Sequence, residues 1–153
     1  MLGFALALHL LGAVIWVGGM FFAYLALRPA TAALEPPQRL SLWAQTLSRF
    51  FVWVKLSIIV LLASGYWMIL NAFGGFANAG LHIHIMNGLG LLMMLLFLHL
   101  YFAPFRRLQK AVGDQDWPLA GKQMNQIRMI VAINLTLGLI VVIVASGGRY
   151  FFS

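Results

Sequence analysis

At 153 residues the chain has the length of one soluble domain, but 63% hydrophobic against 8% charged residues excludes that class. A mean hydropathy of +0.94 agrees, and the absence of cysteine removes disulfides, thiolate metal sites and cysteine nucleophiles. The net charge of +7 raises nucleic acid as a partner, yet membrane topology accounts for it, and no nucleic acid is expected.

The first stretch, Met1 to Leu27, is uncharged. At about 1.5 Å per residue it can cross a hydrocarbon core of about 30 Å. It lacks a basic n-region and its apolar run is too long for an h-region, so it is expected to be a retained span rather than a cleaved signal. Within it His9, Gly12, Trp16, Gly19 and Ala23 fall on one helical face. An ionisable group in a span is costly in lipid and usually faces the bundle interior or a functional site. Charge returns at Arg28, and Pro29, Pro36 and Pro37 are expected to break this helix.

Pro36-Pro37 then opens a helical extension that runs into a second span. Leu56 to Pro104 contains no Asp, Glu, Lys or Arg, which is too long for one crossing; Gly74, Gly75, Asn78 and Gly80 divide it. Pro104 is expected to close the third span. Asp116 followed by Trp117-Pro118 reads as a capped helix start leading into the fourth. The expected architecture is all-α: one polytopic membrane domain, an antiparallel four-helix transmembrane bundle with spans at 3–27, 50–73, 81–103 and 129–148. No internal repeat is legible.

Four spans place nine Lys and Arg (28, 39, 49, 55, 106, 107, 110, 122, 128) on one side and only Arg149 on the other. The positive-inside rule makes the first side cytoplasmic, with helical extensions there and both termini periplasmic. Trp43, Trp53, Trp67, Tyr101 and Tyr150 fit interfacial belts, and Lys55 is expected to snorkel.

With the topology set, His9, His84 and Met68 lie at similar depths near the outer ends of spans one, three and two. Two imidazoles and a thioether suit Cu(I), whereas a His/His or His/Met pair suits haem iron. For haem b, His9 and His84 would ligate, Trp16 and Gly19 would line the macrocycle, and Arg149 would meet a propionate. His82 points nearly opposite to His84 on a helix and is the weaker metal candidate. His99, roughly 22 Å deeper than His84, reads as a buried hydrogen-bond partner. Met20, Met93 and Met94 read as packing, and Asn87, Asn134 and Thr136 as interhelical hydrogen-bonders. No catalytic residue stands out.

LHLLGAVIWVGGMFFAYLALRPA, LEPPQRLSLWAQTLSRFF, GYWMI, GLGLLMMLLFLHLYFAPFRRL and INLTLGLIVVIVASGGRY together resemble a small, stand-alone member of the CopD family. That resemblance implies a bacterial inner-membrane protein of copper uptake or resistance. It implies a copper ion handled near the periplasmic face by His9 and, secondarily, His84. The implied partners are the lipid bilayer, a periplasmic metal donor or redox partner, and a further copy of the chain. His9, Trp16 and Gly19, as H-x6-W-x2-G, also resemble the opening of the HemJ-type protoporphyrinogen oxidases, whose first-helix histidine is regarded as a haem ligand. That family usually has Lys where His84 stands, so the likeness implies b-type haem and not oxidase activity.

Overall fold

The computed structural model describes residues 1–152 of the protein. Four helices long and apolar enough to cross a membrane account for nearly all of it: α1 (Leu2–Thr31), α2 (Pro36–Asn71), α3 (Leu81–Gly113) and α4 (Trp117–Phe151). There is no strand among the described residues. The fold is the all-α bundle expected.

Consecutive helices form two antiparallel hairpins. α1 packs along α2, α3 packs along α4, and α4 also touches α2 and α1. Their outward faces are lined with Leu, Val, Ile and Phe: Phe4, Val14, Ile59, Leu70, Leu95 and Ile143 are all exposed. A soluble helix would hide such residues, and a bilayer solvates them. α2 ends at Asn71, and the turn beyond it needs φ of 72° at Gly74 and 105° at Gly75, which L side chains rarely adopt.

Two prolines behave differently from expectation. Pro29 and Pro104 do not end their helices. α1 runs on to Thr31 and α3 to Gly113, each with one π-helical turn, at Ala23–Leu27 and Tyr101–Phe105. Proline lacks an N–H and its ring crowds the carbonyl four residues earlier; a π turn, common where an α-helix must absorb a local misfit, widens the spiral beside each proline.

Packing is densest at the end carrying the nine basic residues, the basic end. Leu40, Leu47, Phe51, Val54, Phe97, Leu100, Phe105, Leu108, Ala120 and Ile127 are buried there in one cluster with Trp16 and Met20. Phe51 sits at its centre, edge-on to Phe97 (5.2 Å between centroids) and Phe105 (4.8 Å). Trp43 belongs to this core rather than to an interfacial belt: it is 5% exposed and its indole donates to Thr31 Oγ1 at 3.1 Å. The first turns of α2 fold back on the end of α1, which buries a ring the sequence pattern puts at the surface. Lys55 remains outside; its ammonium donates to the Tyr101 hydroxyl at 3.2 Å and lies 4.6 Å from the ring centroid.

Part of the burial pattern of α2 recurs in α4. α2 buries positions 40, 43, 47, 54 and 68, and α4 buries 120, 123, 127, 134 and 148. Leu40 is matched by Ala120, Trp43 by Gln123 and Val54 by Asn134, whereas Phe51, Ser57, Ser64 and Ile69 on α2 and Leu135 and Gly138 on α4 have no buried counterpart.

Candidate metal centre

The face shared by His9, Gly12, Trp16, Gly19 and Ala23 turns toward the bundle interior and mostly toward α2. At Gly12 a Cβ would lie 3.0 Å from Leu61 Cγ and 3.3 Å from the Ser57 carbonyl, so α1 and α2 approach closely there. A Cβ at Gly19 would run into the Phe50 ring. Trp16, 3% exposed, meets Phe97 edge-on at 6.3 Å. The Phe50 ring therefore covers Gly19, and Trp16 is held in the core by Phe97.

One helical turn from Gly12 toward the glycine-rich end, His9 Nδ1 lies 3.0 Å from Ser64 Oγ. The Ser64 hydroxyl has a single proton, and at 2.6 Å it donates that proton to the Val60 carbonyl. With that proton committed, Ser64 Oγ accepts from His9, which favours the neutral ring with its proton on Nδ1. In that tautomer Nε2 carries the lone pair. A histidine whose far nitrogen is held by a second residue is the usual state of a metal-ligating imidazole.

Gly65 completes the seat. A Cβ at that position would lie 3.1 Å from His9 Cε1 and 3.5 Å from Nδ1. The absence of a side chain lets the ring dock against α2. Met68, one turn beyond Ser64 and 7% exposed, continues the same face of α2. The antiparallel register set by Gly12 on Leu61 and His9 on Ser64 brings buried Ala5 level with Met68, about 6 Å along the axis from His9.

His84 has other neighbours. It is exposed, and its ring lies 6.2 Å from that of Phe76, which in turn is 6.0 Å from Tyr66. The Tyr66 hydroxyl donates to Asn87 Oδ1 at 2.9 Å, tying α2 to α3. Ser64 and Tyr66 are two residues apart on α2 and so point to nearly opposite faces. These contacts do not bring the two imidazoles together. His82 faces α4, with its Cβ packed on Gly148. Arg149 is exposed in the last turn of α4, and His99 is exposed on α3 rather than buried as expected, because α3 turns Phe97 and Leu100 inward instead. Among the described residues no group of three His, Asp or Glu could hold a metal ion.

Sequence reasoning passed over Ser64, Gly65 and Tyr66. The signal was present as Ser-Gly-Tyr inside an uncharged span, where small and hydroxyl residues mark close helix contacts.

A family model described as copper resistance protein D (CopD) matches residues 44–147, more than half of the chain. The chain belongs to the CopD family. The matched region runs from the third turn of α2 to the last turns of α4 and includes Met68 and His84, while His9 lies before it. Membership makes this a membrane protein of a copper-resistance family. No curated protein and no solved structure gives a significant match. Nothing in these comparisons supports the HemJ-type likeness or haem.

Proposed function

We propose that this CopD-family protein handles copper as cargo at the glycine-rich end of the bundle, with His9 Nε2 as the first ligand and the Met68 thioether as the second. His84 is the further imidazole of that end. The observation that carries the reading is the His9–Ser64–Val60 chain, which favours the Nδ1–H tautomer and so a lone pair on Nε2. Imidazole with thioether is a soft donor set that favours Cu(I) over the hard divalent cations. Nine basic residues at the opposite end against one at this end support a periplasmic position for the glycine-rich end in a bacterial inner membrane. Copper would then meet the protein before it meets the cytoplasm, and a periplasmic metal donor is the fitting partner.

A copper-sensitive bacterial host tests this. Expressing the wild-type chain should change its copper tolerance or accumulation. His9→Ala should abolish that change, and His99→Ala, an exposed histidine at another depth, should leave it intact. Equal behaviour of wild type and His9→Ala at matched membrane levels would overturn the proposal.

A further inference from the structure

The basic end contains a cavity of about 590 Å3 that the copper reading does not use. Its inner wall is apolar, formed by Trp16, Met20, Phe51 and Phe97, and its mouth carries Arg28, Arg39 and Arg128. None of the chain's three acidic residues, Glu35, Asp114 and Asp116, lines it. The arginines are not consumed elsewhere. Arg28 lies over the Tyr24 ring at 4.8 Å, Arg39 reaches the Leu34 carbonyl only at 3.4 Å, and Arg128 has no partner among the described residues. At the floor Asn134, 2% exposed, donates to the Met93 carbonyl but leaves its Oδ1 with no donor. That acceptor is buried and unsatisfied, which leaves the floor polar at one point.

The mouth continues sideways. A shallower groove between α1 and α4 shares Tyr24, Gly121, Asn125 and Arg128 with the cavity and extends to Met129, which is 61% exposed on the lipid-facing surface. Three guanidiniums without a counter-ion attract a phosphate, and an aromatic chamber open toward the bilayer accepts a hydrocarbon chain. We infer that this site binds one anionic phospholipid, its phosphate held by Arg28, Arg39 and Arg128 and one acyl chain entering between α1 and α4. Guanidinium suits the role better than ammonium, because its planar fork pairs with two phosphate oxygens at once.

Native mass spectrometry of the detergent-purified full chain, stripped of lipid and titrated with phosphatidylglycerol or phosphatidylcholine, tests the inference. The wild type should bind one phosphatidylglycerol saturably and phosphatidylcholine at least tenfold more weakly. The triple variant Arg28→Gln, Arg39→Gln, Arg128→Gln should lose the preference. Gly121→Phe, which keeps every charge but fills the open space beside Gly121, should also lose it. Arg106→Gln, Arg107→Gln, Lys110→Gln removes as much charge from the same end away from the cavity and should bind as wild type. Loss in that control would reduce the effect to general surface charge and sink the proposal. Equal binding of both lipids, or full displacement of phosphatidylglycerol by millimolar inorganic phosphate, would also sink it, the latter by showing a free-anion site.

Discussion

The two ends of this bundle are made from the same four helices and built in opposite ways. At the basic end the helices run past their prolines through π turns, and the extensions close on a core centred on Phe51. At the glycine-rich end few residues are buried; Ala5, Met68, Ile83 and Gly148 are among them, and α2 and α3 are joined through Gly74 and Gly75. The first end carries the stability. The second carries polar groups that dense packing would have to satisfy: His9, Ser64, Tyr66, Asn87 and His84. Loosely packed segments are where binding groups can be reached and moved, and the division follows that logic.

The sharpest way to break the contrast is to damage one end and read the other. Phe51→Ala removes the ring on which Phe97, Tyr101 and Phe105 converge and should cost about 3–5 kcal/mol. Denaturant titration in detergent would measure that loss, while copper affinity of the folded fraction should hardly change. Gly65→Leu should do the reverse. It occupies the seat of the His9 ring, leaves the aromatic core alone, and should weaken copper binding by about a hundredfold, the upper range for disturbing a ligand's support. Ser64→Ala keeps the seat but removes the acceptor that holds Nδ1–H, so copper affinity should fall by about tenfold, read by competition with a chromophoric chelator. Tyr101→Phe is the smallest change. It deletes one exposed hydrogen bond from Lys55 while keeping the ring beneath the ammonium, and should cost no more than about 0.6 kcal/mol in the same unfolding assay.

Much of the scaffold was legible in the chain. Hydropathy gives four apolar helices, and Pro36 and the Asp116-Trp117-Pro118 run mark where two of them begin; Asp116 does accept from the Leu119 amide, at 3.3 Å. Proline misled at positions 29 and 104, because a helix in the company of other helices can absorb one in a π turn, and no local rule announces when it will. The site was legible only in part. The inward face through His9, Gly12 and Trp16 follows from helical spacing, whereas depth alone grouped His84 with His9. Depth fixes the level of a residue but not the azimuth of its helix. Azimuth depends on which helices pack, and here α2 presents Ser64 to one imidazole and Tyr66 to the neighbourhood of the other. The Ser64 and Gly65 pair could have been weighed as a contact point, since small residues inside spans are the commonest mark of one.

Cu(I) titration of the detergent-purified protein against a competing chelator tests the central claim most directly. Wild type should take up one tightly held equivalent, and Met68→Leu should hold it more weakly. His9→Ala should retain none while keeping its helical circular dichroism. An undiminished equivalent in His9→Ala would contradict the account, whatever becomes of the fold.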